Sequence, residues 1–181
     1  RHYGRLEEIL YDHGLDGLLI LTWRIHPNLV RLVEESSGEL PLVVFNDFDP
    51  KLRVDIAYTD VAEGTRLAVG HLLEKGYKKI AMLKGPSNIL FQDQGKTLKV
   101  PSIDAMQKAQ GFLNALKERN VPLKNKAFIR ECNSYLEGDG YQEMKKWLKE
   151  KRNLPEAIVC ANDDIAIGAL RAIKEGNLKC P

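Results

Sequence analysis

The side chains in this sequence that could do chemistry are amides, carboxylates and aromatics placed just after apolar runs. "AIVCANDD" passes from an apolar run directly into Asn162, Asp163 and Asp164. "ECNSYLEGDG" presents Asn133 and Tyr135, "PLVVFND" ends on Asn46 and Asp47, and "DGLLILTWR" ends on Thr22, Trp23 and Arg24. Asp60 follows a third such run, and Gly85, Pro86 and Ser87 follow a fourth. Groups of these types bind more readily than they react. Amides and carboxylates hydrogen-bond hydroxyls, often two at a time, and an aromatic face covers apolar C–H surface. The set therefore suits a polyhydroxylated or otherwise polar small molecule. Each residue also has a structural use. Asn162 or Asp163 can cap a helix, Asp47 and Asp60 can serve turns or caps, and Trp23 and Tyr135 can be ordinary core or surface aromatics.

Reactive constellations are missing from the sequence. Of the four histidines, His13 and His71 fall inside predicted helices, away from the ends of the apolar runs. That is a poor place for a general base. No GxSxG, Walker-type loop, HExxH or GxGxxG occurs, so neither an enzyme nor a cofactor is called for. Cys132, Cys160 and Cys180 are an odd count without zinc-ligand spacing, which reads as reduced thiols of a cytoplasmic protein, with Cys160 buried and inert. The net charge of +2, with acids and bases interspersed, gives no field for nucleic acid or a membrane surface. No window approaches the roughly eighteen consecutive apolar residues of a membrane span, and "RHYGRLEEILYDHG" has no signal-peptide core.

The elements that must position these groups alternate regularly. Short apolar runs at 16–22, 40–46, 54–60 and 78–85 read as strands, separated by helical periodicity at 6–13, 27–35 and 63–77. The order repeats after residue 103, with helices at 104–119, 139–151 and 163–175 and strands at 126–132 and 156–162. This rhythm predicts an α/β chain of βαβ units with parallel, doubly wound sheets. Runs such as 16–22 are expected to be covered on both faces. In such sheets ligands bind beyond the carboxyl ends of the strands. Residues 86–103 are polar with no clear period and read as a long functional or linking loop. Two lobes are expected, 1–85 and 86–181, the second carrying that loop.

Three segments then carry a resemblance: "YTDVAEGTRLAVGHLLEKGYKKIAMLKGP", "AQGFLNALKERNV" and "PEAIVCANDDIAIGALRAIKEG". Together they resemble the effector-binding core of LacI/GalR transcription regulators, which has the periplasmic-binding-protein type I fold. The most specific parts are the D-x₃-G-x₆-HL-x₃-G block and the AxxxANDDxAxGAL block. The resemblance implies two Rossmann-like lobes, both incomplete here, closing on a small effector, commonly a sugar. It also implies ligand contacts at Asn162 and Asp163, at Asn46 with Asp47 beside it, and at Tyr135. Asp164 is left as a helix-start residue.

Two features depart from the family pattern. The family's arginine three residues before "GF" is replaced by Lys108, which cannot present the same planar fork. Loop 86–103 is longer than expected and could form a lid or an interface. The family also implies segments on either side of this chain, including an upstream helix-turn-helix. The chain is therefore expected to be an excerpt of a longer cytoplasmic regulator that is dimeric and reaches operator DNA only through that other domain, with no membrane partner. The alternatives are the same sensor fold joined to a signalling enzyme, or an extracytoplasmic solute-binding protein.

Overall fold

A computed structural model describes residues 15–21, 31, 35, 41–45, 53–93, 95–122, 128–150 and 154–180. The chain divides into two compact units, Arg1–Thr59 and Asp60–Pro181. In the first, strands β1 (Leu18–Leu21), β2 (Leu42–Phe45) and β3 (Asp55–Ala57) form a parallel sheet in the order β1-β2-β3. Leu42 and Val44 are buried, whereas Leu19 and Leu21 are 59% and 70% exposed. One face of β1 is thus open among the described residues, in contrast to the burial on both faces expected of it. The predicted helix at 6–13 and all but Arg31 and Glu35 of the one at 27–35 lie outside the described residues.

The second unit is built on β4 (Ile80–Lys84), hydrogen-bonded in parallel between β7 (Ile129–Glu131) and β8 (Ala157–Cys160). Helices α1 (Val61–Glu74) and α2 (Ile103–Glu118) cover one face of this sheet; α3 (Glu137–Glu150) and α4 (Asp163–Glu175) cover the other. The pleat of β4 divides its side chains between two cores. Ile80 and Met82 pack with Val69, Phe112, Ala115 and Leu116 of the α1/α2 layer. Ala81 and Leu83 pack with Met144, Trp147, Ile165 and Ala169 of the α3/α4 layer. A strand buried on both faces must be apolar throughout, which is why "IAML" shows no alternation.

The boundary between the units differs from the expected one at residue 85. Both neighbours of β4 lie beyond that residue, and α1 packs against α2, so 60–85 folds with the C-terminal part of the chain.

Loop 86–103 also differs from expectation. It holds an antiparallel hairpin, β5 (Asn88–Asp93) with β6 (Lys96–Pro101), in a register that places Ile89 opposite Val100 and Phe91 opposite Leu98. The second strand alternates in sequence, but the consecutive Ile89, Leu90 and Phe91 hide the period of two in the first.

Helix boundaries follow local chemistry. Asp60 caps α1 by accepting from Glu63 N at 2.9 Å, and Ser102 caps α2 by accepting from Ala105 N at 3.3 Å. The last helix ends at its C-cap Gly176 (φ −76°), and the residue after it, Asn177, is left-handed (φ 54°). Helices α3 and α4 meet backbone to backbone at glycines: a Cβ on Gly168 would stand 2.0 Å from Glu137 O.

Candidate ligand site

The carboxyl ends of β4, β7 and β8 and the N-termini of α2 and α4 converge on two polar clusters. Asn162 leaves β8 in extended conformation and turns its side chain back to work in two directions. Its Oδ1 accepts from Ile165 N at 3.0 Å, capping α4, while Nδ2 donates to the Tyr135 carbonyl at 2.9 Å. The capping role weighed from sequence is real, and the same amide also fixes the segment after β7 that carries Tyr135.

The Tyr135 ring lies over Gly85 at the end of β4. A Cβ at residue 85 would come within 2.3 Å of the ring, so only glycine admits this approach. The phenol donates to Asp104 Oδ2 at 3.0 Å and lies 3.2 Å from Ser102 Oγ. Asp104 Oδ1 in turn holds Lys108 Nζ at 3.0 Å, one helical turn on. Lys108 also donates to the Ala161 carbonyl at 2.9 Å, with its side chain only 20% exposed. A continuous chain therefore runs from the α2 cap through Tyr135, Asp104 and Lys108 to the residue before Asn162.

Lys108 and Asp104 keep hydrogen-bonding capacity for a ligand. An ammonium has three donors, of which two are used here, and a carboxylate has about four lone-pair sites. Asp104 is 42% exposed at the side chain. This combination can accept from and donate to neighbouring hydroxyls.

The second cluster adjoins the first. Ser87 donates from its backbone N to Glu131 Oε1 and from Oγ to Glu131 Oε2, each at 2.7 Å. Lys84 Nζ donates to Ser87 Oγ at 2.5 Å and pairs with Glu131 Oε2 at 2.8 Å. Burial pushes the Glu131 carboxyl up, but the hydrogen bonds from Lys84 and Ser87 outweigh it and hold it down at about 2. Ser87 is thus an oriented hydroxyl between two fixed charges.

Of the residues singled out from sequence, the structure brings Asn162, Tyr135 and Lys108 into one network. Asp163 stands beside them, exposed at the first position of α4 and without a hydrogen bond or ion pair among the described residues. Trp23, Asn46 and Asp47 lie outside the described residues. Asp60 acts as a cap. Sequence reasoning missed Asp104, Ser102, Lys84 and Glu131. The i,i+4 spacing of Asp104 and Lys108 was the one available signal for the first of these.

Elsewhere the chemistry is quiet. Burial pushes the Cys132 and Cys160 thiols up to about 12, so neither is a ready thiolate. Among the described residues no group of three or more metal-ligating side chains occurs. No helix there is long and apolar enough to cross a membrane.

The family model described as periplasmic binding proteins and sugar binding domain of LacI family matches residues 5–181. The chain belongs to this family. A LacI-family relative, the HTH-type transcriptional repressor MelR of Bacillus subtilis (strain 168), is 31% identical over 181 residues, covering 99% of this chain and 48% of its own. The chain spans about half the length of the curated relatives it matches. Solved structures share the fold. A regulatory protein of LacI family from Chloroflexus aggregans superposes with TM-score 0.78 at 23% identity, covering 97% of this chain and 57% of its own. The transcriptional regulator CelR in complex with cellobiose superposes with TM-score 0.75 at 21% identity, covering 99% of this chain and 50% of its own.

Proposed function

We propose that this chain is the effector-sensing part of a cytoplasmic LacI-type transcription regulator and that its effector is a sugar or a closely related polyol. The observation that carries the reading is the linked set Asn162, Tyr135, Asp104 and Lys108 at the carboxyl ends of three parallel strands. It offers amide, carboxylate and ammonium groups in one hydrogen-bonded network, with Asp163 exposed beside it. The family description, a repressor relative and a neighbour solved with cellobiose support the same reading. Trp23, Asn46 and Asp47 remain ligand-contact candidates through the family resemblance.

In the full-length protein the effector alters operator affinity through a helix-turn-helix domain elsewhere in the chain, as a coupling free energy between two sites. The regulator works as a homodimer and performs no reaction on its ligand. A thermal-shift panel of free sugars, sugar phosphates and nucleosides on the full-length protein tests this. The expected result is stabilisation by members of the sugar class, with the ligand recovered unchanged. Turnover of the ligand, or stabilisation by nucleosides alone, overturns it.

A further inference from the structure

Helix N-termini and the turns that follow parallel strands are the usual places for a phosphate or a carboxylate. Unsatisfied N–H groups and the positive end of the helix dipole point at it there. The second unit brings three such places to the candidate site: the N-termini of α2 and α4 and the turn after β4. In each of them a side chain of the protein itself has taken an amide. Ser102 Oγ accepts from Ala105 N in α2, Asn162 Oδ1 accepts from Ile165 N in α4, and Glu131 Oε1 accepts from Ser87 N after β4.

The charges are arranged in the same way. Lys84 Nζ lies 2.8 Å from Glu131 Oε2, and Lys108 Nζ lies 3.0 Å from Asp104 Oδ1. Both lysine side chains are largely buried, and each ammonium already has its counter-ion. Lys108 therefore keeps a donor for a hydroxyl but no unmatched charge for an anion. Asp104 also stands in the first turn of α2, and Asp163 and Asp164 stand in the first turn of α4. Carboxylates there use up the favourable field of the helix dipole. Asp163 and Asp164 are exposed and have no ion pair among the described residues. Two cations, Lys84 and Lys108, thus stand with four carboxylates, Glu131, Asp104, Asp163 and Asp164, and the group carries an excess of negative charge.

We infer that this site selects its ligand by charge: it takes an uncharged polyol and excludes sugar phosphates and sugar acids. An anionic group meets ammonium groups that are already neutralised, together with two carboxylates that have no cation of their own. A hydroxyl finds donors and acceptors without that repulsion. The inference rests on the polyol reading above and names its ligand class more narrowly.

The test is calorimetric titration of the full-length protein with glucose, galactose and mannose, each as the free sugar, its 6-phosphate, its uronate and its uronamide. Uronate and uronamide are nearly the same shape and differ by one charge, so their ratio separates repulsion from bulk. In at least one set the free sugar should bind, the uronamide should bind at least about tenfold tighter than the uronate, and the 6-phosphate should be as weak as the uronate. Raising the salt from about 20 mM to about 500 mM should narrow the amide-to-acid ratio at least about threefold. Glu131→Gln, checked for unchanged secondary structure, leaves Lys84 without its counter-ion and should narrow the ratio by a similar factor, about threefold. A purely structural role for Glu131 would weaken acid and amide alike and leave the ratio where it was. Equal binding of uronate and uronamide, or tighter binding of a uronate or a 6-phosphate than of its free sugar, overturns the charge selection and leaves the polyol reading standing. A ratio that neither salt nor Glu131→Gln narrows overturns it too. Binding by no member of any set sinks both readings.

Discussion

Replacing Asn162 with alanine removes two hydrogen bonds at once: the cap on Ile165 N at 3.0 Å and the tether on the Tyr135 carbonyl at 2.9 Å. Loss of an N-cap costs about 1 kcal/mol. A part-buried carbonyl left without its donor costs about 1 kcal/mol more. The sum of about 2 kcal/mol is a large share of the roughly 5–15 kcal/mol that holds a domain together. Asn162→Ser separates the two contributions, because a hydroxyl can still cap α4 but is too short to reach Tyr135. It should cost about 1 kcal/mol.

With a urea dependence of about 2 kcal/mol per molar, the midpoints should fall by about 1 M for alanine and about 0.5 M for serine. The assay is equilibrium unfolding followed by tryptophan fluorescence in a Trp23→Phe background. The chain has two tryptophans, and Trp147, 3% exposed, lies in the same core cluster as Ile165. Its emission therefore reports the unit that Asn162 stabilises. An alanine shift below about 0.2 M, or a serine variant as damaged as the alanine one, would refute the two-bond account.

Other consequences can be checked in the same way. Gly168→Ala should destabilise by about 1–3 kcal/mol, because the new Cβ meets backbone of α3 at Glu137 O (2.0 Å) and Tyr141 N (2.7 Å). Gly64→Ala, in α1 with nothing within 4 Å of its Cβ, should instead stabilise by about 0.5–1 kcal/mol. Urea midpoints of opposite sign are the expected result. Glu131 has its pKa lowered from 4.5 to about 2 in the folded chain. Its contribution is therefore complete above about 4.5 and is lost as pH falls towards about 2. Glu131→Gln should flatten part of the acid limb of the stability profile between those values. The effect should be small, since the carboxylate is 45% exposed and screened by solvent. Parallel acid limbs for wild type and variant would contradict the pairing.

The strand–helix order was readable because continuous apolar runs and capped amphipathic helices are local signals. β4 shows this well, its four apolar residues being apolar for the sake of two different cores. The unit boundary was not readable. Which strands flank β4 is decided by long-range pairing with β7 and β8, and nothing within 60–85 announces it. The hairpin was missed because Leu90 interrupts the alternation of its first strand.

At the site, Asn162 and Tyr135 could be singled out by their place after a strand. Their joining through the Tyr135 backbone carbonyl is a tertiary fact. Asp104, in α2, and Glu131, at the end of β7, were not singled out from the sequence. Only the fold brings the phenol of Tyr135 to the first and Ser87 to the second.

The central claim is that the polar groups at the end of β8 hold a ligand and do not serve the fold alone. Asp163 tests it most directly, being exposed and without a hydrogen bond among the described residues. Its structural contribution is limited to a favourable charge at a helix N-terminus, about 0.3–1 kcal/mol. Titration of wild-type and Asp163→Ala full-length protein with the most stabilising sugar of the panel is the decisive measurement. The account predicts at least a tenfold loss of affinity, about 1.4 kcal/mol, with the melting temperature of the free protein nearly unchanged. Undiminished affinity in a folded Asp163→Ala protein would contradict it.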